Sequence, residues 1–394
     1  MTKRDGWAVE TAPGHWSASS LVLGAGFGLT GAGTVMLGVL LPAFSQRWGL
    51  RDDAAGFLFF PQFLGSSLGA ILTGLNRTRS VLIGYGLLVV SACALAFAGL
   101  QVLFAVFFFF GMGLGMAMTA TSLLFSDRYG DNRAAILERL NFGWSAGATA
   151  APILFLPFLE TGSLRLLFFC FQGLFLLLFV WVLLRERQAA PRSLPAVDGP
   201  HVESSVRAGS LLPLVVLAMC AVGVESSLSG WLTTYSHRAD PLHTGTAALT
   251  TSLFWLGIMV SRLAFSTPLL KMIGRNRLLG ATLWGTAASV ALLIAAHDPT
   301  LIRVAGGLAG VCIGPLYPLV LSFLLERTPR GWIFAVAGMG SALFPWLTGL
   351  LSAHYGSLRY GLIAPCGAAV LMVLLASITL RLASRPAPAN PLPL

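Results

Sequence analysis

The sequence is short of charged residues. Asp, Glu, Lys and Arg together make up only 10% of its 394 residues, while 56% are hydrophobic and the mean hydropathy is +0.80. Soluble globular domains carry roughly 25% charged residues, so this composition excludes a surface that faces water everywhere. The scarcity of charge predicts a protein that is surrounded by lipid.

Side chains suited to covalent bridges, metal binding or catalysis are also sparse. The five cysteines all fall inside apolar segments without a paired spacing, which predicts neither a disulfide framework nor a zinc site. The six histidines lie near the ends of these segments or between them, so a buried metal centre is not expected. The sequence contains no nucleophile–base constellation and no phosphate-binding loop. We therefore expect a protein that is not an enzyme and that uses no cofactor and no metal.

What the sequence has in abundance is long apolar segments. A helix crosses the bilayer core in about 20 mainly apolar residues. Twelve segments of about this length predict an all-α membrane protein with twelve transmembrane helices. They cover residues 17–43, 54–75, 81–100, 102–125, 136–159, 163–184, 210–236, 246–270, 278–296, 300–325, 331–353 and 359–382.

The basic residues follow the predicted topology. A formal net charge of +10 would by itself suggest a nucleic-acid partner. If the N-terminus is placed in the cytoplasm, however, 18 of the 25 Lys and Arg residues fall on the cytoplasmic side and six on the other side, with Arg262 inside a segment. This is the positive-inside pattern. We therefore expect no nucleic-acid partner, both termini in the cytoplasm, and a location in the plasma membrane.

One hydrophilic stretch divides the twelve segments into two groups of six. It covers residues 185–209, is rich in Arg, Pro and Ser, and is predicted to be a cytoplasmic linker. The predicted domains are thus an N-terminal six-helix bundle (1–184) and a C-terminal six-helix bundle (210–394). The Pro-rich tail of the second bundle (386–394) is expected to be disordered.

The two groups repeat one pattern. Gly111 and Gly115 in the fourth segment match Gly310 and Gly314 in the tenth at a constant offset of 199 residues. Two parallel six-helix repeats are the architecture of the major facilitator superfamily, which the chain resembles in this respect. The resemblance implies a central cavity lined by the first, fourth, seventh and tenth helices. Further matches are FLG (63–65) with WLG (255–257), RTR (77–79) with RNR (275–277), and GATAAP (147–152) with GSALFP (340–345).

The loop after the second segment resembles a motif of that superfamily, Gly-x-x-x-Asp-Arg-x-Gly-Arg. The similar stretch begins at Gly69 and reaches Arg77 and Arg79. It departs from the motif at Thr73, which stands at the acidic position, and at Asn76, which stands at the inner glycine.

Four stretches carry a more specific pattern. VGVESSLSGWL (222–232) places Glu225 after Gly223, and SLFWLGIMVSRL (252–263) contains Trp255 and Arg262. GVCIGPLYPLVLSFL (310–324) has a Tyr-Pro pair, and RLNFGWSAGATAAP (139–152) contains the amide of Asn141. Together they resemble the fucose/galactose/hexose symporter family, in particular its bacterial glucose permeases. The resemblance implies transport of a hexose or a related small sugar by symport, across the bacterial inner membrane.

The chain departs from that family where its members are thought to bind the coupled proton. Met118 stands in the fourth segment where the glucose permeases have a glutamate, and the first segment holds no acidic residue. Three alternatives follow. Glu225 binds the proton instead, the protein is a uniporter, or its substrate is not a hexose.

Glu225 is the main candidate for the site because it is a carboxylate in an apolar segment. It lies about 21 Å along the helix from Leu211, near the midplane, where transporter sites lie. A charge there costs about 2.5–3.5 kcal/mol or more, so Glu225 either faces the cavity and binds substrate or a proton, or pairs with Arg262. Arg262 needs an acidic partner for the same reason, and Glu138 is the other candidate. A Glu138–Arg262 pair would form a gate between the halves.

Aromatic side chains inside the segments could form a sugar pocket, because sugars present apolar faces and hydroxyl rims. Each aromatic residue could instead serve helix packing. Amides would supply hydrogen bonds. The candidate substrate-binding residues are Gln62, Asn141, Trp144, Glu225, Trp231, Trp255, Tyr317 and Trp346.

The sequence thus predicts a transporter that works by alternating access, either secondary active or facilitative. The expected substrate is a hexose or related small sugar, carried alone or with a proton. The alternative is export of amphiphilic drugs or lipids, since a large apolar cavity with one acid suits cations. The expected partners are the small-molecule substrate and membrane lipid, and we expect a monomer.

Overall fold

A computed structural model describes residues 18–74, 76–129, 133–188, 211–265, 272–325 and 332–383. Most of the expected linker and the whole Pro-rich tail lie outside these residues. Every regular element within them is a helix, which confirms the all-α prediction. In chain order the helices are α1 (Ala18–Trp48), α2 (Asp52–Phe57), α3 (Phe59–Ile71), α4 (Arg77–Phe97), α5 (Leu100–Tyr129), α6 (Arg133–Glu160), α7 (Leu164–Gln188), α8 (Leu212–Ala239), α9 (Thr244–Phe265), α10 (Arg275–Ala295), α11 (Pro299–Ile313), α12 (Leu316–Leu325), α13 (Trp332–Tyr355), α14 (Leu358–Gly361) and α15 (Ile363–Ala383).

These helices form twelve candidate membrane spans, as the apolar segments predicted. Three spans are each built from two helices: α2 with α3, α11 with α12, and α14 with α15. The first span is longer than expected: Pro42 lies inside α1 without ending it, and the helix continues to Trp48. The next residue is Gly49, whose φ of 60° is a conformation that glycine adopts readily.

The repeated glycines have the same role in both halves. A Cβ atom added at Gly111 in α5 would collide with the backbone oxygen of Gln62 in α3. A Cβ atom added at Gly310 in α11 would collide with the backbone oxygen of Phe254 in α9. Small residues let membrane helices approach this closely. The offset of 199 residues therefore marks equivalent helix contacts, and the second and fourth spans of each half form a tightly packed pair.

The loop before α4 makes an ion pair although Thr73 occupies its acidic position. Asn76 caps α4, since its Oδ1 accepts a hydrogen bond from the backbone N–H of Arg79 at 3.1 Å. Arg77, the first residue of that helix, pairs through its Nε with Asp127 Oδ2 at 3.1 Å. Asp127 lies near the end of α5, so this pair stays within the first half.

The two halves meet through three pairs of spans. α1 contacts α8, α6 contacts α9, and α13 contacts α2 and α3. Each pair joins one helix from the first six spans with one from the last six. The candidate site lies between these contacts.

A candidate substrate cavity between the two halves

A cavity of about 180 Å³ lies between the two halves. Its walls come from α1, α3 and α6 of the first half and from α8, α9 and α13 of the second. The expectation that the fourth and tenth spans line it is wrong, because α5 and α11 contribute none of its walls within the described ranges. The glycine contacts place these two helices against α3 and α9, one layer behind the cavity.

One face of α8 supplies the polar wall of the cavity. Glu225, Ser226, Ser229 and Gly230 all line it, and their spacing of three and four residues puts them on one side of the helix. Ser226 Oγ donates a hydrogen bond to Ser341 Oγ of α13 at 2.9 Å, and Ser341 lines the cavity as well.

Glu225 is ion-paired inside this wall. Its Oε2 lies 3.0 Å from Nη2 of Arg262, and the two side chains are only 17% and 26% exposed. The Nε of Arg262 donates a second hydrogen bond to the backbone oxygen of Gly314 at 3.0 Å, in the short break between α11 and α12. Of the two candidate partners for Arg262, Glu225 is therefore the one in contact. Glu138, near the start of α6, is exposed.

This ion pair does not join the two halves. α8, α9 and α11 all belong to the last six spans, so Arg262 links three helices of one half. Tyr317, another of the predicted candidates, lies on α12 and is not among the residues that line the cavity.

Two tryptophans face each other across the halves. Trp144 of α6 and Trp255 of α9 both line the cavity, and their rings meet edge to face with centroids 5.3 Å apart. The indole Nε1 atom of each is buried and has no hydrogen-bond partner among the residues that the structure describes. The sequence predicted both residues as candidates.

Trp231 is not part of the cavity wall in this structure. Its side chain is fully buried, and its Nε1 donates a hydrogen bond to the backbone oxygen of Pro345 at 2.8 Å. It follows Gly230 directly, and one residue turns the helix by about 100°, so its side chain points toward α13 instead. Trp231 is a packing residue between these two helices.

Three further candidates also lie away from the lining. Trp346 packs edge to face against Phe57 of α2, with ring centroids 5.8 Å apart. Gln62 is buried behind the wall, where its Nε2 donates to the backbone oxygen of Thr34 at 3.1 Å. Asn141 is exposed near the start of α6.

The sequence analysis missed part of the lining on the first half. Thr34 and Val35 of α1 and Phe59 and Phe63 of α3 all face the cavity. A signal for Phe63 was present, because the repeat pairs it with Trp255 of the second half. Equivalent positions of the two repeats thus place an aromatic ring on each side of the cavity.

A different ion pair joins the two halves beyond the cavity. Asp52, at the start of α2, accepts two hydrogen bonds from the guanidinium of Arg238 at 2.6 and 2.8 Å. It also accepts one from Ser352 Oγ of α13 at 2.5 Å. We call Asp52, Arg238 and Ser352 the Asp52 clamp, and the end of the bundle where they lie the Asp52 end.

The backbone is packed closely between the clamp and the cavity. Gly56 lies so near Pro345 and Gly349 of α13 that a Cβ atom there would meet their backbones. Gly38 of α1 lies equally near Gly230 of α8. The halves are therefore in contact from the cavity wall to the Asp52 end, and the clamp holds the far end of that contact.

Comparisons with known proteins agree with this architecture. The family model of the Major Facilitator Superfamily matches residues 23–243. Among solved structures, the crystal structure of the fucose:proton symporter FucP of E. coli is similar, with a TM-score of 0.61 over 92% of this chain and 98% of that chain. The two sequences are 16% identical, so this likeness concerns the fold. No curated protein sequence matches the chain. The match of the family model over more than half of the chain identifies it as a transporter of the Major Facilitator Superfamily, and thus as an integral membrane protein.

Proposed function

We propose that this transporter carries a hexose or a related small sugar by alternating access, and that Glu225 couples transport to a proton. The main support is the chemistry of the cavity. Two indole rings face each other beside hydroxyl groups and a carboxylate. Sugars offer apolar faces to rings and hydroxyls to polar groups, so each part of this lining has a counterpart on a sugar.

The size of the cavity favours a small solute. Pockets for drug-sized ligands have volumes of about 300–1,000 Å³, whereas this cavity measures about 180 Å³. The charge of the cavity also argues against a large cationic substrate. Glu225 already has a cationic partner in Arg262, so the carboxylate would attract a lipophilic cation only weakly. Both observations argue against the alternative of amphiphile export.

The Glu225–Arg262 ion pair suggests how binding of a proton or of a substrate hydroxyl would change the structure. Protonation of Glu225 would leave Arg262 as a buried cation without its counter-ion, which is costly in a membrane. Arg262 would then move toward another carboxylate. A hydroxyl that donates to Glu225 would weaken the pair in the same direction, because carboxylates accept strong hydrogen bonds.

The positions of Glu138 and Arg262 along their helices support a pairing between them in another state. It lies six positions before Trp144 on α6, and Arg262 lies seven positions after Trp255 on α9. Because these helices cross the membrane in opposite directions and the two tryptophans meet, both charged residues lie about 9–11 Å from that meeting point toward the same end. We propose that Arg262 exchanges Glu225 for Glu138, which would create a gate between the halves.

The proposed orientation follows from the distribution of basic residues. With both termini in the cytoplasm, the Asp52 end faces the outside of the bacterial inner membrane. The clamp and the glycine contacts would then close the cavity to the outside. We propose that the protein is a monomer. We also propose that the structure represents the inward-facing state, which releases or receives substrate on the cytoplasmic side.

Transport by purified protein tests the function. Proteoliposomes should exchange labelled D-glucose or L-fucose, and an inward proton gradient should drive accumulation. A lipophilic cation serves as the comparison solute. Movement of the cation and of neither sugar would refute the sugar proposal, and sugar exchange that ignores the gradient would refute proton coupling.

A further inference from the structure

The tenth span is interrupted where two prolines stand close together. Gly314 and Pro315 separate α11 from α12, and Pro318 lies in the first turn of α12. In an α-helix each N–H donates to the carbonyl four residues earlier, but proline has no N–H. Pro318 therefore leaves the Gly314 oxygen without its helical donor, and no backbone N–H donates to it within the described ranges. Gly314 itself has helical torsion angles, φ −50° and ψ −49°, so the chain follows a helical path with this bond missing.

Arg262 supplies the missing bond. Its Nε donates to the Gly314 oxygen at 3.0 Å, while its Nη2 donates to Glu225 Oε2 at 3.0 Å. The guanidinium is planar and its donors point in fixed directions, so both partners are held in one geometry. Of the charged side chains that the structure describes, Arg262 alone forms a salt bridge with Glu225. One side chain thus connects the cavity carboxylate with the interrupted point of the tenth span.

We infer that Arg262 is a positioning residue that keeps the tenth span helical across Gly314 while it is paired with Glu225. The inference rests on the proposed function, in which a proton or a substrate hydroxyl at Glu225 releases Arg262. Its release also removes the donor from the Gly314 oxygen, and Gly314 is buried. A buried carbonyl without a donor costs free energy. The span then bends at this point, because helices bend where proline interrupts their hydrogen bonds.

The neighbours of the two helices indicate which part moves. α11 is fixed against α9, since a Cβ atom at Gly310 would collide with the backbone of Phe254. α12 instead contacts α8 and α10. It continues to Leu325, toward the expected cytoplasmic side. A bend at Gly314 therefore moves the cytoplasmic part of the span relative to α11, at the end where the proposed state exchanges substrate.

Replacing Pro318 tests this connection. Pro318→Ala restores an N–H that faces the Gly314 oxygen, so Arg262 is no longer needed there. Spin labels are attached at Val304→Cys in α11 and Ser322→Cys in α12 of the full-length protein without its native cysteines, and their distance is measured in detergent. Glu225→Gln should shift or broaden the distance distribution, and the addition of Pro318→Ala should return it to that of wild type.

Pro315→Ala is the matched control. It restores an N–H in the same segment, but this N–H faces the oxygen of Val311, four residues earlier. It should therefore leave the distribution of Glu225→Gln unchanged.

Transport gives a second measurement. Arg262→Lys keeps a positive charge beside Glu225, but a single ammonium nitrogen cannot take the place of both Nε and Nη2. Exchange of labelled D-glucose or L-fucose in proteoliposomes should fall about threefold to tenfold, the range for loss of one hydrogen bond. Pro318→Ala should restore it, because changes that act on one contact are not additive. If Arg262→Lys folds poorly, the label distances in Glu225→Gln decide, since they require no change at Arg262.

The outcomes separate this inference from the proposed function. If wild type transports neither sugar but the label distances respond as expected, the sugar proposal fails and the role of Arg262 stands. If Glu225→Gln leaves the distances unchanged, or if Pro315→Ala restores them as well as Pro318→Ala does, the inference is overturned whether or not sugar is transported.

Discussion

Replacing Asp52 with asparagine should loosen the contact between the two halves at the Asp52 end. In the structure the Asp52 carboxylate accepts both arms of the Arg238 guanidinium and the hydroxyl of Ser352. Asparagine has nearly the same shape but carries no charge. Its NH2 group would also point a donor at Arg238, which has only donors.

The expected size of the effect follows from burial. A hydrogen bond to a charged group contributes about 1.5–3 kcal/mol. The Asp52 side chain is 10% exposed, but that of Arg238 is 43% exposed, so solvent screens the pair. We therefore take the lower end of the range for the whole clamp, about 1.5–2 kcal/mol. This corresponds to a shift of about tenfold to thirtyfold in the equilibrium between halves closed and open at this end.

The assay is the accessibility of the cavity from the expected outer side. A single cysteine replaces Ser229 in the cavity wall after the five native cysteines have been removed. The rate of labelling by a membrane-impermeant thiol reagent in intact cells then reports opening at the Asp52 end. Asp52→Asn should raise this rate about tenfold to thirtyfold if opening limits it.

Asp53→Asn is the matched control. Asp53 is the next residue, its side chain is 42% exposed, and it pairs with Arg51 of the same segment at 3.6 Å. The control should label at the wild-type rate. An unchanged rate in Asp52→Asn, or an equal increase in both variants, would refute the assignment of the clamp as the contact that holds this end closed.

Three further results are expected. Glu225→Gln should abolish gradient-driven accumulation of sugar in proteoliposomes while exchange of sugar persists; retained accumulation would contradict proton coupling at this residue. Gly310→Ala should lower the melting temperature of the purified protein, because the added methyl group meets the backbone of Phe254, whereas Gly280→Ala, which has open space around it, should not; equal melting temperatures would contradict the packing argument. Trp231→Phe removes a buried packing hydrogen bond and should lower stability by about 1 kcal/mol without changing sugar affinity, and a drop in affinity in binding measurements would return this residue to the site.

The helical framework was predictable because it depends on local composition. Runs of apolar residues gave the twelve spans, and the glycine spacing gave the repeat. The offset between Gly111 and Gly310 corresponds to equivalent backbone contacts in the two halves. Predicted ends were less accurate: Pro42 lies within a helix that ends only at Trp48, before Gly49, whose conformation is not encoded by hydropathy.

The cavity was predictable only in part. Glu225, Trp144 and Trp255 were identified because a carboxylate and large aromatic groups are conspicuous in apolar segments. Trp231, another predicted candidate, does not line the cavity in this structure, and the helical period separates it from the face that carries Glu225 and Ser229. Phe59 lies in the lining without any feature that distinguishes it from other phenylalanines in the sequence.

The clamp was beyond the reach of local sequence patterns. Asp52 and Arg238 lie 186 positions apart, and each resembles an ordinary charge at the end of a span. Only the packing of α13 against α2 and of α1 against α8 brings them together. The partner of Arg262 could not be predicted for the same reason. Both Glu138 and Glu225 met the sequence criteria, and only the packing of the helices selects Glu225.

One helix carries both the cavity acid and the clamp. Glu225 and Arg238 lie thirteen positions apart on α8, about 20 Å along its axis. Its proline stands in the first turn, whereas α6 and α13 have prolines in their interiors. A tilt of α8 by about 5° would displace one end relative to the other by about 1.7 Å, which is enough to break a hydrogen bond. A rearrangement of Glu225 in the cavity can therefore act on the distant clamp by leverage, without a chain of intervening side-chain contacts.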